Sequence, residues 1–264
     1  MQRIPDFAVI ITAAGRSERF NRASGESVKK EYLRIGDHTV LYSATEPFLE
    51  IPGLSAIAVT CPEGSEDETA VALEDISNIN GIPILIIPGG SSRTQSVKNA
   101  IERLRALPFS FEYIAIHDGA RPYITPDEII RTLAAATVAG GAAPALRITD
   151  AVKKLGSDGM IAESIDRSSL IRVQTPQIFS APQIYEAYDA VSDGESYADD
   201  IEVFQKAGFR CTVVQGSDKN RKITYRNDIP DADKQIAEYA EARSRGRKSA
   251  EAVRRMHELM MDGE

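Results

Sequence analysis

The chain has 264 residues and 42% hydrophobic content, which suits one large α/β domain or two small ones and excludes disorder as the default. Its 39 acidic residues outnumber 31 basic ones, for a formal charge of −8, and that balance argues against a general polyanion-binding surface and so against nucleic acid as a partner. No stretch approaches the ~20 apolar residues of a membrane span and the first residues lack a long apolar signal region, so no membrane partner and a cytoplasmic location are expected.

The first predicted element is a strand over residues 7–12, Phe-Ala-Val-Ile-Ile-Thr. It runs into Ala13, Ala14 and Gly15, whose small side chains let a ligand approach the backbone and leave the following amides free for an anion. Arg16 and Arg19 come next, then Lys29-Lys30-Glu31-Tyr32-Leu33, an arrangement that suits a nucleoside triphosphate. Strands are predicted at 55–61 and 83–87, and the second leads into Pro88-Gly89-Gly90. Ser96 opens the amphipathic run Val97, Ile101, Leu104. A Gly-Gly turn at a strand's carboxyl end lies where open α/β sheets bind ligands. By residue chemistry alone, Gly90, Arg93 and Ser96 serve equally as a base-reading site or as a plain turn with Ser96 as helix N-cap.

Strand 112–117 precedes His117-Asp118-Gly119-Ala120-Arg121-Pro122, so Asp118 and Arg121 emerge at the same sheet edge. Asp118 can orient ribose and phosphates, hold Mg²⁺ through hard oxygen ligation, or merely cap the turn. His117 reads as packed scaffold. Strand 142–148 is followed by a break in rhythm from about 149 to 175, where Ala151–Leu155 and Met160–Ile165 flank a Gly156–Gly159 turn and form a hairpin. A strand at 211–215 and the run Lys222-Ile223-Thr224 follow. After Pro230 a helical pattern passes through Ile236 and Ala240 and resumes beyond Gly246 with Val253, Met256 and Met260, read as a solvated C-terminal extension over 233–264. Strands alternating with helices indicate a largely parallel sheet. Cys61 and Cys211 read as small buried hydrophobes in a reducing compartment, and His38, His117 and His257 have no spacing typical of zinc ligation.

The Ala-Ala-Gly turn with an Arg and a Lys on the loop beyond it resembles the nucleotidyltransferase signature. Gly89-Gly90-Ser91-Ser92-Arg93-Thr94-Gln95-Ser96-Val97, His117 to Pro122, Asp166-Arg167, Thr175-Pro176-Gln177 and Lys222-Ile223-Thr224 stand in the order and spacing of one family. Over roughly residues 6 to 232 the chain resembles the 2-C-methyl-D-erythritol 4-phosphate cytidylyltransferases of non-mevalonate isoprenoid biosynthesis. The resemblance implies an α/β, three-layer Rossmann-like (GT-A-like) domain over 1–232 with a mainly parallel sheet. It also implies a projecting hairpin arm at about 149–175 that interlocks in a homodimer.

The implied reaction takes CTP and a small sugar-alcohol phosphate, with Mg²⁺ as cofactor. Its nucleophile is a phosphate monoester whose second pKa of about 6 makes a general base unnecessary. By resemblance Arg19, Lys30, Arg167 and Lys222 are catalytic. Ala13, Ala14, Gly15, Gly90, Arg93, Ser96 and Asp118 bind nucleotide, and Asp118, Arg121, Arg167, Thr175 and Lys222 bind the sugar phosphate, Arg167 across the dimer. Asp118 is the metal candidate. Lys29 competes with Lys30 because the loop is longer than the usual family spacing, and Ser17 stands where a glycine is common; register favours Lys30. Ala198 replaces a usual threonine, which leaves Asp199 and Asp200 available nearby.

A cytidylyltransferase for ribitol 5-phosphate shares the fold and nucleotide motifs but matches the arm and the Gly-Ala-Arg-Pro run less well. A dinucleotide-dependent oxidoreductase would want G-x-G-x-x-G after strand one, where this chain has Gly15-Arg-Ser-Glu-Arg19. A noncatalytic nucleotide-binding regulator would be expected to lack Arg19 or Lys30, and both are present.

Overall fold

The computed structural model describes residues 3–22, 28–74, 76, 81–192 and 194–242. Strand β1 (Phe7–Thr12) is at the centre of the sheet, and the short helix α1 (Glu18–Asn21) follows it. Two short strands, β2 (Arg34–Ile35) and β3 (His38–Thr39), pair with each other outside the main sheet. Within the sheet β1 is parallel to β4 (Leu54–Cys61) on one edge and to β6 (Tyr113–Asp118) on the other. Such a strand is covered on both faces, which is why its sequence is a continuous apolar run and not an alternation. β5 (Ile84–Pro88) extends the parallel half beyond β4.

Past β6 the sheet becomes mixed. β11 (Gln177–Ser180) inserts antiparallel between β6 and β7 (Gly141–Arg147), β10 (Ile171–Val173) continues along the same edge of β7, and β12 (Thr212–Gln215) adds in parallel on its other edge. A cis peptide joins Thr175 to Pro176 between β10 and β11. The strands expected from sequence at 7–12, 55–61, 83–87, 112–117, 142–148 and 211–215 agree with these to within a residue. β10 and β11 carry no sequence signal of that kind, being short and lacking a sustained apolar run.

The pleat of β1 separates two cores. Phe7, Val9 and Ile11 face α2 (Val40–Leu49), α3 (Glu66–Ala72) and α5 (Pro126–Ala139), while Ala8 and Ile10 face α4 (Arg93–Arg105), α6 (Ala181–Asp189) and α7 (Asp200–Lys206). The result is three layers, as expected. Each fully buried Ile or Phe in these clusters contributes about 1.5–3 kcal/mol relative to exposure. Local signals set the helix ends: Thr125 accepts the Glu128 amide at the start of α5, Pro126 fills the first turn, and Gly140 closes it at φ +85°.

The hairpin β8 (Val152–Leu155) and β9 (Ile161–Ile165) forms a separate two-stranded ribbon where the sequence placed the arm. A third apolar cluster joins Phe20, Val28, Leu33 and Val40 to Ala120, Ile223, Ile229, Ala232 and Ile236. Helix α8 (232–242) therefore packs against the domain through Ile236 and Tyr239 and is not a solvated appendage over its described part. The Val253, Met256 and Met260 stripe lies outside the described residues.

Candidate active site

A cleft of about 520 Å³ opens at the carboxyl ends of β1, β4, β5 and β6. Its lining includes Ala14, Gly15, Arg16, Ser17 and Arg19 from the loop after β1, Lys30 and Glu31 from the 3-10 turn Lys30–Tyr32, and Gly90, Arg93 and Ser96 from the start of α4. Asp118 and Lys222 complete it. Ala13 is buried just behind. Small residues are required where the loops meet: a Cβ on Gly89 would lie 2.3 Å from the Ala14 Cβ, and one on Gly90 2.2 Å from Gln95 Cγ.

Asp118 is the last residue of β6, registered with Thr12, and not a turn residue beyond the strand. Its Oδ2 meets Lys222 Nζ at 2.9 Å and Arg121 Nε at 3.2 Å, while Oδ1 is 3.9 Å from Arg93 Nε and accepts from the Thr12 hydroxyl at 3.4 Å. Burial alone would raise its pKa, but Lys222, Arg93 and Arg121 outweigh it and hold the carboxyl well below the usual carboxylate range. Asp118 thus fixes three cations around one point.

Arg93 is itself clamped. Its two terminal nitrogens bind both carboxylate oxygens of Asp200 at 2.9 and 2.6 Å, and Tyr188 donates its hydroxyl to Asp200 at 2.6 Å. Burial lowers the guanidinium pKa, and Asp200 more than reverses this, leaving it raised. Asp199 is used too: it caps α7 by accepting the Glu202 amide at 3.0 Å and accepts from Gln177 at 3.1 Å. The expectation that Asp199 and Asp200 stay available for substrate is therefore corrected. The helix-start pattern Asp199-x-x-Glu202 was a signal for this in the sequence.

Ser96 is likewise not the N-cap of its helix. Ser92 holds that position by accepting the Gln95 amide, whereas Ser96 Oγ accepts from the Gly90 amide at 3.0 Å and donates to the Ser92 carbonyl. Ser96 shapes the Gly90 turn from below.

His117 is fully buried scaffold, as read from sequence. Nε2 must donate to the Arg121 carbonyl at 3.2 Å, so neutral Nδ1 accepts the Thr175 hydroxyl at 3.0 Å, and Thr175 Oγ1 accepts the Asp118 amide at 3.0 Å. Burial brings the imidazole pKa down to about 4. Thr175 is 5% exposed and spends its hydroxyl on this chain of bonds, setting the Asp118 backbone; it is not among the cleft-lining residues.

Lys30 is 8% exposed and donates to the Ile223 carbonyl at 2.5 Å, and burial is the largest cause of its lowered ammonium pKa. Lys29 instead points behind the loop and does not line the cleft. Arg121 donates to the Asn220 carbonyl at 2.8 Å, and Ile223 bonds through its amide to Ala120, so residues 220–223 are stitched to the β6 edge. Arg167 is elsewhere: it sits in the 3-10 turn Arg167–Ser169 at the end of the arm, donates to the Thr149 carbonyl, and does not line its own chain's cleft.

Among the described residues no group of three or more His, Cys, Asp or Glu forms a metal cage, and no helix is long and apolar enough to cross a membrane. Sequence reading gave Arg16 and Glu31 no site role of their own, and it missed Asp200 and Tyr188 as the supports of Arg93 and Asn220 as a support of Arg121. Only folding brings these positions together.

The family model for 2-C-methyl-D-erythritol 4-phosphate cytidylyltransferase matches residues 7–238. A protein of that name from Cereibacter sphaeroides is 37% identical over 231 residues, covering 87% of this chain and 96% of its own length. The bifunctional enzyme IspD/IspF of Rhodobacter capsulatus is 37% identical over 226 residues, 86% of this chain and 55% of that longer protein. The crystal structure of 2-C-methyl-D-erythritol 4-phosphate cytidylyltransferase from Thermus thermophilus aligns with TM-score 0.66 at 25% identity, covering 88% of this chain and 98% of that one. On the family match and the high-coverage relatives, the chain belongs to the 2-C-methyl-D-erythritol 4-phosphate cytidylyltransferase family.

Proposed function

We infer that this chain transfers the cytidylyl group of CTP to 2-C-methyl-D-erythritol 4-phosphate, giving 4-diphosphocytidyl-2-C-methyl-D-erythritol and pyrophosphate. The observation that carries the reading is the cleft itself, where Arg93 and Lys222 gather on the buried carboxylate of Asp118 and Arg19 and Lys30 line the same cleft. A phosphate oxygen of the acceptor attacks the α-phosphorus, the bond to the β-phosphate breaks, and its electron pair leaves on pyrophosphate. Negative charge grows on the transferring group, so preorganised cations lower the barrier and no proton acceptor is needed.

Arg19 and Lys30 face the triphosphate loop and are the cations for that charge. Lys222, fixed by Asp118, is the cation for the sugar phosphate, with Arg121 bonded to Asp118 and the Asn220 carbonyl beside it. The backbone at Gly90, with Ser96 beneath it, offers a close approach for the pyrimidine. Asp118 Oδ1 is the less engaged oxygen of that carboxylate, and a lone carboxylate plus substrate phosphates is a donor set that suits Mg²⁺. Bound there with the nucleotide, the ion would neutralise triphosphate charge.

The arm supports a homodimer in which Arg167 serves the partner's site: Leu155, Met160 and Ile161 are each 68% exposed on it, and Arg167 lies outside its own cleft. The free thiols Cys61 and Cys211 accord with a cytoplasmic enzyme. The test is to incubate the protein with Mg²⁺ and each pairing of CTP or UTP with methylerythritol 4-phosphate or ribitol 5-phosphate. Pyrophosphate release should be fastest for CTP with methylerythritol 4-phosphate; a preference for ribitol 5-phosphate overturns the reading.

A further inference from the structure

The loop that faces the triphosphate is held from behind by residues with no role in the chemistry above. Lys29 Nζ donates to the Gly15 carbonyl at 2.5 Å and lies 3.0 Å from Glu31 Oε2; the Ser17 hydroxyl donates to the same Glu31 oxygen at 3.4 Å. The side chains of Lys29 and Glu31 are only 10% and 6% exposed. Ser17 has φ +52° and ψ +31°, a left-handed conformation that glycine enters freely and a serine does not. This is the position where the family resemblance leads one to expect glycine.

Two consequences follow from the geometry. In a trans peptide the carbonyl and amide point to opposite sides, so fixing the Gly15 carbonyl on Lys29 turns the Arg16 N–H away from Lys29, toward the cleft that Gly15, Arg16 and Ser17 line. That amide has no partner among the described residues. Glu31 also lines the cleft, and an uncompensated carboxylate there would repel a triphosphate. Lys29 neutralises it at contact distance.

We propose that Lys29, Glu31 and Ser17 form a clasp that presets the Gly15–Ser17 loop as an anion cradle for the CTP triphosphate, Lys29 being a positioning residue and not a catalytic one. The proposal rests on the CTP reading above. It explains how this chain keeps a left-handed loop residue without the glycine: the clasp supplies the hold that the side chain of Ser17 would otherwise oppose.

The experiment measures steady-state turnover and calorimetric CTP binding in the full chain for Lys29→Met, Lys29→Gln, Lys29→Met/Ser17→Gly and Lys29→Met/Glu31→Gln. Lys29→Met should raise the KM and Kd for CTP roughly tenfold while kcat stays within about twofold, the signature of lost ground-state binding. Lys29→Gln, which keeps a donor but no charge, should fall between it and the parent. Each second-site change should return at least half of the lost affinity on a logarithmic scale, Ser17→Gly by freeing the loop backbone and Glu31→Gln by removing the bare charge. A fall in kcat with KM for CTP unchanged, an unaltered enzyme, or failure of both second-site changes to restore binding overturns the clasp. The two Lys29 replacements are independent, so one that fails to fold leaves the other to decide. If the parent binds CTP but releases no pyrophosphate with methylerythritol 4-phosphate, the assigned acceptor fails while the binding data still test the clasp.

Discussion

The two walls of the cleft are built on opposite electrostatic plans. On the β6 wall every cation has a fixed partner: Lys222, Arg121 and Arg93 share Asp118, and Arg93 is also gripped by buried Asp200. On the loop wall Arg16 and Arg19 are exposed and have no ion-pair or hydrogen-bond partner among the described residues. The first wall is organised at folding, by charges that burial would forbid unless paired. The second leaves its charge unspent in the folded chain, and on the proposed reading a triphosphate is its partner, which puts its contribution in binding and turnover and not in stability.

Breaking the paired wall should cost stability first. Asp200→Ala removes a fully buried carboxylate, leaves partly buried Arg93 and the Tyr188 hydroxyl without it, and should destabilise the fold by about 3–5 kcal/mol, read by denaturant unfolding. A loss under about 1 kcal/mol would show that Arg93 escapes to solvent. Breaking the loop wall should act on rate: Arg19→Ala should leave the unfolding midpoint alone, Lys30→Ala should also cost about 1–3 kcal/mol by stripping the Ile223 carbonyl of its donor, and each should lower kcat by roughly 10²–10³ or more, the effect of removing a transition-state cation. Lys30 is the harder test, being buried against Ile223, and near-normal turnover in Lys30→Ala would remove it from the transition state.

The paired wall also carries a pH signature. His117 is held neutral with its pKa brought down to about 4, against 6.5 for the free side chain. Below 6.5 the unfolded chain takes up a proton that the folded one refuses, so this stabilisation is complete above that pH and is lost as pH falls toward 4. The term is on the order of 3 kcal/mol. Unfolding free energies across this window should fall with acidity, and His117→Leu should remove a one-proton share of that slope; an unchanged slope would mean that the ring is accessible to protons when folded.

The smallest expected effect lies at the seam between the walls. Gly89→Ala drives a methyl to within 2.3 Å of Ala14, and pushing the two loops apart should cost about 1–3 kcal/mol and raise the KM for CTP. Wild-type affinity in this variant would show that the loops separate freely.

Much of this was legible in the sequence because its signals are local. The apolar run of β1, the small-residue turn after it and the hairpin around Gly156–Gly159 depend on neighbours a few residues apart, and steric limits on the backbone act at that range. The carboxylate of Asp118 was visible for a similar reason, since the strand before it delivers it to the sheet edge, whereas Arg19, Lys30 and Lys222 were picked out by the family resemblance.

Tertiary structure alone decided how those groups are used. Asp200 meets Arg93 across 107 positions of sequence and Lys30 meets Ile223 across 193, pairings that no local pattern encodes. Thr175 and Ser96 carry polar groups that fit a ligand as well as a backbone; burial, which obliges polar atoms to find a partner, engages both with the chain's own amides. Lys29 and Lys30 are adjacent and chemically identical, and the turn that begins between them sends one side chain into the cleft and the other behind the loop. Sequence supplied the chemistry, and packing across distant segments chose which copy of it faces the substrate.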